Sequence, residues 1–166
     1  MITRYTPDIG YLGQDVFDAF AFHQSVRAGD TLYLSGIAPL RGDLTGLELV
    51  GEGDIGAQLD FVLDVLDRCL QAEGLDRSNL VAWTFYTTDI HGLCAVIPDR
   101  LGPWVGNHRP TSTTLEIQGM IHPAQQLEIT AIAVALIAVA VLRTARAVDL
   151  GGRFTAAVAW FLPVLV

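Results

Sequence analysis

The sequence predicts an α+β domain in which two helices pack on one face of a mixed sheet of four to five strands. Three observations predict it. Short segments alternate apolar and polar residues with period 2. One longer segment, Ile55 to Leu70, carries its apolar residues at helical spacing. The elements then follow in the order strand, strand, helix, strand, helix, strand, strand, which makes one layer of helices on one sheet. At 166 residues, half of them hydrophobic, the chain is long enough to bury a core of its own.

The elements are read in turn. Phe20 to Val26 alternates, with Phe20, Phe22, Gln24 and Val26 on one side, and is expected as the first strand. Arg27-Ala28-Gly29-Asp30 supplies a hairpin turn into a second strand, Thr31 to Ser35. Leu47 to Val50 is expected as a short third strand. Asp54 is placed to cap the long helix, whose apolar stripe is Ile55, Leu59, Val62, Leu63, Leu66 and Leu70, with Gly74 as the stop. Leu80 to Thr87 is rich in strand formers. A second helix starts near Gly92, and Pro98 and Pro103 must shorten or kink it. Thr113 to Gln118 and Gln126 to Ala135 are the last two strands. A domain of residues 1–135 results.

Residues 136–166 differ in character. The first 135 residues hold 7 arginines and 17 acids, and the remainder holds 3 arginines and one Asp. Two apolar runs, Ala131 to Leu142 and Phe154 to Val166, each fall short of the roughly 20 residues a spanning helix needs. This apolar C-terminal extension reads as an appended helix or a loosely ordered tail. A membrane-contacting tail and a tail encoded by a shifted reading frame are the alternatives.

Composition excludes several classes of function. The net charge is -8, so nucleic acid and anionic membrane are not expected partners. There is no lysine, which removes Schiff-base catalysis. The two cysteines, Cys69 and Cys94, lack metal spacing and read as small core residues of a reduced, cytoplasmic protein. The histidines, His23, His91, His108 and His122, show no helical pair of the kind that binds metal, so no metal is expected. Gly51-Glu52-Gly53-Asp54-Ile55-Gly56 matches a dinucleotide fingerprint, but two carboxylates would face a pyrophosphate there and no βαβ series follows. It is read as a loop leading into a capped helix, and no cofactor is expected. Glu128 stands out because it interrupts the most apolar strand of the chain, where a carboxylate is costly unless it faces a cleft or has a partner. Glu116 sits in a milder version of the same setting.

Gln24-Ser25-Val26 and Gly29-Asp30-Thr31-Leu32-Tyr33-Leu34-Ser35-Gly36 resemble the opening of the Rid/YjgF superfamily. Further matches follow in the family's order: Gly53-Asp54-Ile55 to Gln58, Tyr86 to Asp89, Arg109 to Thr113, and Leu127 to Ala133. The resemblance covers about Phe20 to Ala135. It implies a chorismate-mutase-like, barrel-like homotrimer with a ligand cleft between each pair of subunits. It also implies hydrolysis of reactive imines and enamines, with an arginine for the substrate carboxylate, a tyrosine, an asparagine and a glutamate. Here the arginine position falls on Ser112, the tyrosine position on Phe22 beside His23, the asparagine position on Ile97 and a common cysteine position on Thr114. Glu128 and the Ser35-Gly36 loop are kept. The expected site therefore has Glu128 and His23 as acid–base groups, with Phe22, Ser35, Gly36, Ile97, Ser112 and Thr114 binding a neutral or apolar small molecule. Imine or enamine hydrolysis, cyclisation and elimination fit it, possible steps of a biosynthetic pathway, whereas deamination of 2-aminoacrylate does not. The alternative is a ligand-binding or regulatory trimer without chemistry.

Overall fold

The computed structural model describes residues 1–135, so the expectations for residues 136–166 lie outside the described residues. The chain runs β1 (Ile2–Tyr5), α1 (Gln14–Ala19), β2 (Ser25–Ala28), β3 (Thr31–Ile37), β4 (Leu40–Arg41), β5 (Glu48–Leu49) and α2 (Ile55–Ala72). A 3-10 turn (Arg77–Asn79) leads into β6 (Leu80–Thr87), then α3 (Ile90–Val96), α4 (Leu101–Val105), β7 (Thr111–Glu116) and β8 (Leu127–Val134). Six strands form one mixed sheet in the order β1-β2-β3-β8-β6-β7, and β4 and β5 make a separate hairpin. Only β6 and β7 run parallel, as their connection through two helices requires. The α+β class stands, with four helices where two were expected and six sheet strands where four to five were.

Helix α2 forms where its apolar stripe predicts. Asp54 accepts a hydrogen bond from the Ala57 amide at 3.0 Å, satisfying one of the free donors of the first turn. Leu59, Val62, Leu63, Leu66 and Leu70 are all buried. They meet the even-spaced side of the sheet: Leu32 and Leu34 of β3, Leu127, Ile129, Ala131 and Ala133 of β8, and Trp83 and Phe85 of β6. Cys69 joins this core, as expected, but Cys94 is exposed, because α3 turns that side of itself outward.

Three departures from the sequence reading have local causes. The alternation of Phe20 and Phe22 is not a strand. Phe20 ends α1, the chain reverses at Ala21 (φ 55°), and the Phe22 amide bonds back to the Phe17 carbonyl. The two rings of Phe17 and Phe22 then pack 4.9 Å apart, so β2 begins only at Ser25. The hairpin turn narrows to Gly29-Asp30, with Gly29 supplying the positive φ of 63° that such a tight turn needs. The second helix is split by Pro98 and Asp99 into α3 and α4. Glu116 has a structural use, its Oε1 accepting from the Ile90 amide at the start of α3 at 3.3 Å.

Arginines staple the helix layer. Arg77 donates to Asp67 Oδ1 at 2.8 Å and lies 4.4 Å above the Trp104 ring, while Trp104 Nε1 donates to Asp67 at 3.0 Å. Those contacts lock α4 to α2. Arg27 ties β2 to the end of α2 through Glu73, and Arg100 pairs with Asp60.

Candidate functional site

The site starts from an irregularity in β3. Tyr33 pairs with Ile132 and Leu34 with Ala131, but the next partners are Ile37 and Ile129, so Ser35 and Gly36 form a bulge. The bulge opens a gap in the sheet, and Glu128 fills it. A Cβ on Gly36 would overlap Glu128 Oε1 and sit 2.8 Å from its Cδ, so the missing side chain at residue 36 is the space the carboxylate occupies. The other oxygen, Oε2, accepts a hydrogen bond of 3.2 Å from Gln125 Nε2. A carboxylate in an apolar strand thus has both a cavity and a partner, which is what its position required.

Ser35 of the same bulge binds the chain that precedes β2. Its hydroxyl donates to the His23 carbonyl at 2.6 Å and its amide to the Gln24 carbonyl at 3.0 Å. The His23 ring is exposed, with Nδ1 3.3 Å from Thr6 Oγ1, and no hydrogen bond joins it to Glu128 among the described residues. Phe22 packs against the core beside Phe17. The bulge is also held from below. Tyr11 is buried, its hydroxyl donating to the Ala38 carbonyl and accepting from the Ala38 amide, each at 3.0 Å. Burial pushes that hydroxyl well above the usual phenol range, with a smaller contribution from the nearby Glu128 charge, so Tyr11 acts here as an anchor.

Ser112, Thr114 and Ile97 lie elsewhere. Ser112 is in register with Trp83, and Thr114 with Phe85, on the helix-bearing face of the sheet at its exposed edge. Glu128 is in register with Tyr86, which pairs in turn with Leu115, on the opposite face. Within one chain, then, Glu128 and the Ser112–Thr114 pair present to opposite sides, two strands apart. Ile97 closes α3, packs on the core and accepts from the Leu101 and Gly102 amides through its carbonyl. The open face is largely uncovered: Tyr33 and Leu115 are each nearly half exposed, in rows that also hold Ile132 and Ala82.

Two contributors were not found by reading the sequence. Gln125 reaches Glu128 from the loop before β8, and Tyr11 lies in the N-terminal segment. The only trace of Gln125 is an amide three residues ahead of the carboxylate. Tyr11 has no local signal, because its partner is 27 residues away.

A mixed sheet backed by helices on one side, with a carboxylate set into a glycine bulge on the other, defines a small α+β domain with a candidate site on its open face. The chain belongs to the YjgF/Rid family, whose sequence profile, described as Endoribonuclease L-PSP, matches residues 15–135. It is 35% identical over 109 residues to protein DfrA of Myxococcus xanthus, a match that covers 66% of this chain and 79% of that protein. A YjgF-family crystal structure from Mycobacterium tuberculosis superposes with a TM-score of 0.64 at 24% identity, covering 81% of this chain and all of that one, a likeness of fold. The Rid-family protein YyfA of Yersinia pestis superposes with a TM-score of 0.61 at 25% identity, covering 69% of this chain and 87% of that one. Among the described residues no helix is long and apolar enough to cross a membrane.

Proposed function

We propose that this chain hydrolyses a neutral imine or enamine, in a cleft completed by a neighbouring copy of itself. The observation that carries the reading is the Glu128 carboxylate seated in the Gly36 gap with one oxygen bonded and the other not. In the reaction, water adds to the carbon of C=N while Glu128 takes a proton from it. Glu128 returns that proton to the nitrogen, and as the carbinolamine collapses to the ketone its hydroxyl proton also passes to the nitrogen, which leaves as ammonia. Imine plus water gives ketone plus ammonia, and Glu128 ends as it began.

The two-sided placement of the remaining groups supports a homotrimer with inter-subunit clefts. A ligand on Glu128 of one copy meets Ser112 and Thr114 only if another copy brings its β7 edge to it. The uncovered row of Tyr33, Ile132 and Ala82 is apolar surface for such packing. Ser112 and Thr114 offer neutral hydrogen bonds where a carboxylate binder would need a guanidinium, so the ligand is taken to lack a carboxylate. RNA is not favoured as a substrate. The net charge is -8, and five arginines are already held by acidic side chains.

The test compares 2-aminoacrylamide with 2-aminoacrylate, which differ in the carboxylate alone, by ammonia release. Turnover of the amide and little turnover of the acid is expected. Glu128→Gln should lower the amide rate by about 10²–10⁴-fold, the usual contribution of general acid–base catalysis. Ser112→Arg should move the preference toward the acid. Preference for the acid by the wild-type protein, or full activity of the Gln variant, overturns the reading. Binding of the amide without turnover by either form identifies a ligand-binding trimer instead.

A further inference from the structure

Gln125 is fully buried, and its amide is oriented by its partners. Nε2 donates to the Leu127 carbonyl at 3.1 Å and to Glu128 Oε2 at 3.2 Å, with Met120 Sδ, a weaker acceptor, at 3.6 Å. The reversed orientation would set an oxygen against two acceptors, so the nitrogen must face Glu128. The backbone around Gln125 is pinned on both sides. Gln58 of α2, itself fully buried, donates to the Ala124 carbonyl at 3.0 Å and accepts from the Gln126 amide at 2.8 Å. Thr87 and Thr88 of the β6 end bond the Gln126 carbonyl. The side chain leaves one debt behind: its Oε1 is buried without a partner. A buried amide oxygen without a donor is destabilising, and an apolar side chain of the same size would remove that penalty. A residue selected for packing alone would not be glutamine.

We propose that Gln125 is a positioning residue for Glu128. It engages Oε2 as a fixed acceptor and leaves Oε1, over Gly36, as the oxygen that takes the proton from water. The proposal rests on the reading of Glu128 as the acid–base group and assigns its two oxygens different tasks. The chain from α2 through Gln58 to the 124–126 loop and Gln125 then ties the carboxylate to the buried helix α2.

The variant is Gln125→Met, which keeps the volume and removes both the donor and the orphaned oxygen. A packing role predicts unchanged or raised stability and nothing more. The positioning role predicts the same stability result together with two changes. The first is a fall in kcat on 2-aminoacrylamide of about tenfold, the loss of one hydrogen bond to a charged group at a half-buried site, with KM moving less than kcat. The second needs no substrate. The Glu128 carboxylate stretch, isolated at pH 7 as the infrared difference between each protein and its Glu128→Gln counterpart, should shift between the wild-type and Gln125→Met backgrounds. An unshifted band overturns the proposal whatever the activity. A shifted band with kcat unchanged, in a protein whose Glu128→Gln variant is dead, also overturns it while leaving the role of Glu128 intact. If Glu128→Gln is fully active, it is the proposed chemistry that fails, and the band shift then still decides whether Gln125 holds the carboxylate.

Discussion

Gly36→Ala tests the geometry of the site without any knowledge of the substrate. The residue has no positive φ among those the backbone requires of glycine, so alanine costs nothing in conformation there. Its cost must come from the new methyl group, which would sit 2.8 Å from Glu128 Cδ and 3.3 Å from Cγ. The carboxylate has to swing out and give up its bond to Gln125. Overpacking of this kind costs about 1–3 kcal/mol, and the lost charge-assisted hydrogen bond is of the same order, about 1.5–3 kcal/mol at a buried site and less here. The two are alternative ways for the clash to be relieved and do not add, so about 1–3 kcal/mol is expected. In a Glu128→Ala background nothing occupies the gap, and Gly36→Ala should be close to neutral. The four proteins make a double-mutant cycle, read by urea unfolding with unchanged m-values, and the coupling should be at least about 1 kcal/mol. An equal cost of Gly36→Ala in both backgrounds would show that Glu128 does not occupy the bulge, and the site built on it would go.

Three further outcomes are expected. Asp54→Ala removes the cap of α2 and should destabilise the domain by about 1 kcal/mol, read by thermal melting followed at 222 nm; no loss would mean that the cap bond contributes nothing. Cys94 should be alkylated by iodoacetamide in the folded protein, and Cys69 only on unfolding, since burial pushes the Cys69 thiol up to about 12. The sign for stability follows: an unfolded Cys69 ionises near about 8.5 while the folded one does not, so stability is lost progressively as pH rises from there toward the folded value, and the Cys69→Ala protein should show a shallower alkaline decline. A chain ending at Ala135 should keep one cooperative unfolding transition, because the core and the sheet hydrogen bonds close within residues 1–135, the Ala135 amide bonding to the Asp30 carbonyl; a broad, non-cooperative melt refutes that boundary.

What the sequence revealed, it revealed where one local rule governs. α2 carries its cap, stripe and stop within 20 or so residues, and β6 is a continuous run of strand formers, so both were read nearly to the residue. Phe20 and Phe22 misled because period-2 spacing also arises where a helix ends and the chain reverses, and only the positive φ at Ala21 separates the two cases. β1 and α1 have weak patterns and are fixed by pairing to β2 and by packing, which are non-local. The site divides in the same way. Glu128 was legible as a carboxylate in an apolar strand. Alternation also gave the face each residue takes within its own strand. It could not give the registers of β7 and β8 against β6, and those registers are what send Ser112 and Glu128 to opposite faces. Gln125 and Tyr11 were illegible because a hydrogen bond to a neighbour folded back in space leaves no periodicity.

The allocation of arginine supports the proposal that the ligand is neutral. Each of Arg27, Arg41, Arg68, Arg77 and Arg100 lies against a carboxylate, and at least two of them also bond a backbone carbonyl or an aromatic ring that fixes a helix. A guanidinium used this way cannot take up a ligand's carboxylate without releasing its own partner and loosening the helix layer. The position where the resemblance has a ligand-binding arginine holds Ser112, in an edge strand with the aromatic side chain of Trp83 beside it. An anionic ligand would meet Glu128 and an excess of acids, and the five paired arginines could not offset them without releasing their own partners. On the proposed reading the reacting imine meets the reverse: positive charge that develops on its nitrogen as it is protonated would lie near the Glu128 carboxylate, and neutral hydroxyls would satisfy the rest of the molecule. On that proposal, serine at the arginine position and the retained glutamate act in one direction, favouring a neutral ligand over an anionic one.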